Sequence, residues 1–167
     1  MRIETAAAQA GHQIDAQTGA VAPPIHVSTT FERDADGEYS RGYTYSRSGN
    51  PTRGSLEAVL AALEGGSYAA AFSSGSAASA AVFQALSAGD HIIAPNDCYH
   101  GTAALLRNVF SRWGLETTFT DVTNPERVKE AMRPNTRLVW VETPSNSMLK
   151  VTDIHRTARI AHDAGAV

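Results

Sequence analysis

Four short segments of this 167-residue chain hold residue types that chemistry needs. In Tyr43-Thr44-Tyr45-Ser46-Arg47-Ser48-Gly49-Asn50-Pro51-Thr52-Arg53 a tyrosine and an arginine stand two apart. In extended chain Tyr45 and Arg47 point to one side, and a guanidinium fork beside a phenol suits a phosphate or a carboxylate. In Phe72-Ser73-Ser74-Gly75-Ser76-Ala77-Ala78 an apolar run passes through small residues into a helix. Free N–H groups and the positive end of the dipole make such a junction a phosphate cradle, although a serine-rich start is also an ordinary cap. Asp97-Cys98-Tyr99-His100-Gly101-Thr102 offers a ring that could stack on a planar ligand and a phenol that could move protons. Glu142-Thr143-Pro144-Ser145-Asn146 offers a carboxylate to orient a neighbour and an amide to contact a ring substituent, or simply a polar turn held by Pro144. Cys98 and His100 lack the further ligands of a metal site and the orienting group of a nucleophile, so Cys98 is expected to be a small buried residue.

The intervening sequence supplies the elements that must position these groups. Residues 1–50 have no sustained period beyond a helical turn at Ala6–Ala10, and they read as an extended arm. Asn50-Pro51-Thr52 starts a helix with Leu56, Val59, Leu60 and Leu63 on one stripe, and Gly65 stops it. Tyr68–Phe72 fits a strand, and a helix is expected from Ser73 to Gly89. The periodicity then predicts a strand at His91–Ala94, a helix at Tyr99–Trp113 and a strand at Thr117–Thr120. A short helix from Asn124-Pro125 to Met132, a buried strand at Arg137–Val141 and a helix capped by Asp153 follow. Strands alternating with helices imply an α/β fold with a mostly parallel sheet and helices on both faces. Both catalytic-type segments, Asp97–Thr102 and Glu142–Asn146, follow the carboxyl ends of strands, where open sheets bind ligands. Ala166-Val167 stand where a further strand belongs, so the chain reads as the first part of a longer protein.

Hydrophobic residues make up 43% and charged residues 19% of the chain, which allows a packed core. The net charge of -3 leaves no basic surplus for nucleic acid. A single cysteine excludes a disulfide framework, no Cys/His cluster has zinc spacing, and the Ala-rich apolar runs are too interrupted for a bilayer. Without a secretion signal at Met1–Thr5, a cytoplasmic protein is expected, with no metal, membrane or nucleic-acid partner.

Taken together the segments resemble the pyridoxal-phosphate-dependent enzymes of cysteine and methionine metabolism. The resemblance rests on Pro23-Pro24-Ile25, Tyr45-Ser46-Arg47-Ser48-Gly49-Asn50-Pro51-Thr52-Arg53, Leu63-Glu64-Gly65, Ser74-Gly75, Gly89-Asp90, Tyr99 and Glu142-Thr143-Pro144-Ser145-Asn146. It implies part of the large domain of a fold-type I transferase, similar to aspartate aminotransferase, over residues 51–167, with residues 1–50 reaching a neighbouring subunit. It implies that Tyr45 and Arg47 bind the cofactor phosphate of that neighbour. Gly75 and Ser76 would give N–H groups to the phosphate in their own subunit, Tyr99 would stack on the pyridine ring and serve as acid or base, and Asn146 would contact the ring hydroxyl with Glu142 supporting it. The activity implied is γ-replacement or γ-elimination on homoserine esters or sulfur amino acids, as in cystathionine γ-synthase or γ-lyase, by a homo-oligomer, as a dimer of dimers (a homotetramer). Methionine γ-lyase or O-acetylhomoserine sulfhydrylase chemistry is the alternative, and a non-catalytic interaction subunit is a reading of another class.

Two departures from the family pattern matter. The family's cofactor-bearing lysine sits in a Ser-x-Thr-Lys context, which neither Lys129 nor Lys150 has, so this stretch alone is expected to be inactive. Synthases and γ-lyases commonly carry an arginine a few residues after the Tyr99 position, where this chain has Ala103-Ala104-Leu105-Leu106, with Arg107 following.

Overall fold

His91-Ile92-Ile93-Ala94-Pro95 is buried along its whole length, and the second half of the molecule is built around it. In the computed structural model, which describes residues 2–9, 11 and 14–167, the chain divides into two compact units, Met1–Phe72 and Ser73–Val167. The second unit contains strands β1 (His91–Pro95), β2 (Glu116–Thr120) and β3 (Thr136–Val139), arranged β2-β1-β3 with both pairs parallel. Arg137 is an extra residue in the β1–β3 ladder, because His91 pairs with Thr136 and Ile92 with Leu138.

Strand order explains where the helices lie. The step from β1 to β2 goes one way along the sheet, and the step from β2 to β3 returns past β1. Crossovers of one hand travelling in opposite directions must land on opposite faces. One face accordingly packs Ile92, Ala94 and Leu138 against Phe83 of α3 (Gly75–Gln84) and against Leu106 and Phe110, which follow α4 (His100–Ala104). The other packs Ile93 and Val139 against Val128 of α5 (Pro125–Ala131) and Ala161 of α6 (Ile154–Asp163). After α6, Val167 donates to Arg137 O at 3.0 Å and accepts from Val139 N at 2.7 Å, lying parallel on the outer edge of β3.

Side-chain caps set most helix starts where the sequence predicts them. Asn50, Ser74, Asn124 and Asp153 accept N–H bonds from Thr52, Ala77, Glu126 and Arg156 respectively. Helix α2 (Pro51–Glu64) ends at Gly65 with φ +66°, as a left-handed cap requires.

Three expectations are corrected. Helix α3 stops at Gln84 instead of Gly89, because the Asp90 carboxylate takes the Ser87 N–H at 2.8 Å and turns the chain early. The stretch from Tyr99 to Trp113 is not one regular helix. It is α-helical over His100–Ala104, widens to a π-turn over Leu105–Val109 and tightens to 3-10 geometry over Phe110–Trp113. Leu106 and Phe110, four residues apart on one face, both enter the core while Val109 stays exposed, and Ser111 Oγ donates to the Arg107 carbonyl at 2.6 Å. Tyr68–Phe72 forms no strand, since the Ala71 N–H goes to the Glu57 carboxylate of α2 at 2.9 Å and not to a ladder.

The first unit is organised differently. It has helix α1 (Ile3–Gln9), α2 and the arm between them, and none of its described residues is fully buried. Ala10, the last residue of the helical turn expected there, lies outside the described residues. Within this unit the Asn50 side-chain amide donates to the His26 carbonyl at 3.2 Å and His26 N donates to Thr52 Oγ1 at 2.9 Å, tying the arm to the start of α2.

His91 carries a pH dependence. Its ring is fully buried, with Nδ1 hydrogen-bonded to Thr136 Oγ1 and Nε2 to Thr118 Oγ1, each at 2.8 Å. Burial first, and then the positive charge of Arg133, hold its pKa below the ordinary value, with Glu116 partly opposing. The unfolded chain takes up this proton near pH ~6.5 while the folded chain resists it. Stability is therefore full above that pH and declines as the pH falls toward the lowered native value. The urea midpoint should be lower at about pH 5 than at about pH 7.5. Equal midpoints would contradict this role for His91.

Candidate active site

The sheet order reverses at β1, and a crevice outside the carboxyl ends of the strands is expected at such a point. A cleft of about 440 Å³ lies there in the second unit, lined by the cap residue Ser74, Gly75, Ser76 and Ser79 of α3, Tyr99 and Thr102 at the start of α4, and Glu142 beyond β3. Four of the residues singled out in the sequence, Gly75, Ser76, Tyr99 and Glu142, thus share one cavity.

Each wall has a local cause. Ser74 turns the chain into α3 and accepts from Ala77 N at 3.1 Å through its hydroxyl, while its carbonyl accepts from Ala78 N. The Gly75 and Ser76 N–H groups have no acceptor among the described residues, so they carry the positive end of the helix. A β-carbon on Gly75 would meet nothing within 4 Å, so the tip is open to an approaching anion. Ser79 and Thr102 were not foreseen, because their role depends on α3 and α4 facing the same space.

Glu142 ties the walls together. Its Oε2 accepts the Tyr99 N–H at 2.7 Å, and its Oε1 accepts the Thr102 hydroxyl and the Trp140 indole N–H, both at 3.0 Å. Three donors occupy this carboxylate, and no hydrogen bond joins it to Asn146 among the described residues. Asn146 is exposed on the loop after β3. That loop is held to the β1 exit by Ser145 Oγ donating to Asp97 at 2.8 Å and by Lys150 at 3.6 Å from the same carboxylate. Lys129 pairs with Glu126 at 3.1 Å, and neither lysine lines the cleft. Cys98 is buried, and that burial, reinforced by the Glu142 charge, pushes its thiol pKa up, which disfavours a nucleophile. His100 is exposed, and no group of three potential metal ligands occurs among the described residues.

Tyr45 and Arg47 belong to the first unit, and their geometry differs from the extended chain expected. Ser48 N and Gly49 N both donate to the Tyr45 carbonyl, at 2.9 and 3.0 Å, so Tyr45–Ser48 is a turn. Tyr45 bridges Thr30 in antiparallel fashion, and Ser46 N donates to Thr29 O at 2.8 Å. The Arg53 guanidinium donates to the carbonyls of Ser46 and Ser48 at 3.0 and 3.2 Å, which satisfies the inside of the turn. The Arg47 guanidinium lies over the Tyr45 ring, 4.8 Å from its centroid. Stacking, not strand alternation, puts the two groups side by side, and Arg47 has no carboxylate partner among the described residues.

A parallel α/β sheet with a helix tip, an aromatic side chain and a half-buried carboxylate around its switch point belongs to the class of cofactor-binding enzymes with fold-type I large domains. The chain belongs to the Cys/Met metabolism PLP-dependent enzyme family, which it matches over residues 4–167. It is 45% identical over 163 residues to cystathionine gamma-synthase of Mycobacterium tuberculosis (strain ATCC 25618 / H37Rv), covering 97% of this chain and 42% of that protein. It is 42% identical over 167 residues to cystathionine gamma-lyase of Bacillus subtilis (strain 168), covering 100% of this chain and 44% of that protein. The crystal structure of metB from Corynebacterium glutamicum superposes with a TM-score of 0.95 at 45% identity, over 99% of this chain and 43% of that one. The chain therefore spans less than half the length of these relatives. No described helix is long and apolar enough to cross a membrane.

The family is pyridoxal-phosphate-dependent, and the cleft's donor set fits that cofactor. Two N–H groups without acceptors and two serine hydroxyls suit a phosphate, and the Tyr99 ring, about half exposed, suits a planar heterocycle.

Proposed function

We propose that the protein carrying this chain catalyses pyridoxal-phosphate-dependent γ-replacement or γ-elimination in the manner of cystathionine γ-synthase. The carrying observation is the cleft that brings the open α3 tip and the Tyr99 ring together at the carboxyl end of β1. Gly75 and Ser76 hold the phosphate through their N–H groups, and Ser76 and Ser79 offer hydroxyls. Tyr99 covers one face of the pyridine ring and holds or accepts a proton through its phenol. Asn146 contacts the ring hydroxyl from the loop after β3. Tyr45 and Arg47 of a second copy complete the phosphate site, which accounts for an arm that exposes Ile25 and Val27 by 81% and 89% and has no core of its own. When bound, the cofactor acts as an electron sink for charge developing next to the amino acid's α-carbon.

A second reading, methionine γ-lyase or O-acetylhomoserine sulfhydrylase chemistry, is favoured by the uncharged Ala103–Leu106 stretch. Arg107, the next cation, is stacked on the Phe119 ring at 4.2 Å, away from the residues that line the cleft.

Adding pyridoxal phosphate to the whole protein should produce a visible absorption band. Turnover should be greatest with a homoserine ester plus cysteine, less with cystathionine, and least with methionine. Absence of any band would defeat the cofactor assignment, while preference for methionine would select the second reading.

A further inference from the structure

Tyr99 is the one aromatic side chain among the described residues that line the cleft, and its ring is held by contacts of two kinds. Below it lies Gly101, one residue into α4. A β-carbon built there would fall inside van der Waals contact of the ring at Cε1, with Cδ1 at 3.1 Å and Cζ at 3.3 Å. The ring occupies space that any other residue at Gly101 would fill. Behind it, Glu142 accepts the Tyr99 N–H at 2.7 Å. Glu142 is itself fastened to Trp140, whose indole packs edge-on against the fully buried Phe83 with centroids 5.1 Å apart. The backbone of Tyr99 is thereby tied to the core, and its ring is seated on a glycine.

We propose that Gly101 and Glu142 are positioning residues that set the orientation of the Tyr99 ring at the cleft before a ligand arrives. Gly101 does so by leaving room for the ring, and Glu142 by tying down its backbone. The inference rests on the reading of the cleft as a cofactor site. A half-exposed tyrosine free to change rotamer would lose that freedom on stacking, whereas a seated ring has already lost it.

Two substitutions separate positioning from plain structural support. Gly101→Ala places a better helix former inside α4, so the fold should be at least as stable while the ring is displaced. Glu142→Gln keeps the shape but cannot keep the bonds. Either orientation of the amide points an NH2 at the Tyr99 N–H or at the Trp140 N–H, because every partner of this carboxylate is a donor.

The test is a double-mutant cycle in the whole protein, reading the dissociation constant of added pyridoxal phosphate by equilibrium dialysis alongside the thermal midpoint. Gly101→Ala should weaken binding about three- to tenfold, the value of an aromatic stack, without lowering the midpoint. In a Tyr99→Ala background the same change should alter binding by less than about 1.5-fold, since the group it acts through is gone. Glu142→Gln should likewise lose its effect on binding in that background. Equal effects in both backgrounds, or no effect of Gly101→Ala where wild type binds, would overturn the inference and leave the cofactor reading standing. Failure of the wild type to bind would overturn both.

Discussion

Truncating Phe83 to alanine should destabilise the protein by about 3–5 kcal/mol, the range for emptying a fully buried aromatic site. The ring is completely inaccessible and meets Phe110 and Trp140 edge-on, with centroids 5.4 and 5.1 Å away. It lies between α3 and the sheet face formed by Ile92, Ala94 and Leu138, so neighbours on both sides lose contacts. The damage should also reach the cleft. Trp140 would lose the partner that holds its indole, and its N–H bond to Glu142 would loosen. Denaturant titration gives the energy, and a shift of tryptophan emission in the folded state reports the loosening. A loss below about 1 kcal/mol would mean that this core collapses around the void, contrary to its tight aromatic packing.

Replacing Arg47 by alanine in the whole protein should weaken retention of pyridoxal phosphate by roughly 1.5–3 kcal/mol, about 10- to 150-fold in the dissociation constant. The guanidinium is exposed, stacked on Tyr45 and without a carboxylate partner among the described residues, so its donors are available to a phosphate. Arg47→Lys should recover only part of the loss, because an ammonium keeps the charge but not the fork. Mixing Arg47→Ala with Tyr99→Ala protein tests whether the residue acts across subunits. A mixed dimer then contains one site with both groups intact, and tight binding should return at that site. No recovery on mixing would place Arg47 in the service of its own chain, and unchanged affinity in the single variant would remove it from the site.

Much of this protein was legible locally. The caps at Asn50, Asn124 and Asp153, the left-handed stop at Gly65 and the apolar run of β1 depend on residues within a turn of one another. Their outcome does not wait for the rest of the fold. The alternation of strand and helix and the Tyr45–Asn50 and Glu142–Asn146 segments likewise point, from the sequence alone, to a parallel α/β sheet and to the family.

Only the tertiary structure decided how the chemical groups are held. Glu142 reads in the sequence as a support for nearby Asn146, yet its partners include Tyr99 and Thr102, 43 and 40 residues away along the chain. Tyr45 and Arg47 meet by stacking on a turn that Arg53 holds, and a two-residue spacing cannot distinguish that from a strand. The widened turn at Leu105–Val109 leaves no mark in the apolar spacing, because Leu106 and Phe110, four residues apart, share one face in a regular helix as well. Tyr68–Phe72 is no strand because its Ala71 N–H finds a carboxylate on α2. Periodicity and caps are short-range and survive any path of the chain, whereas hydrogen-bond partners and ring contacts depend on which elements the completed sheet brings face to face.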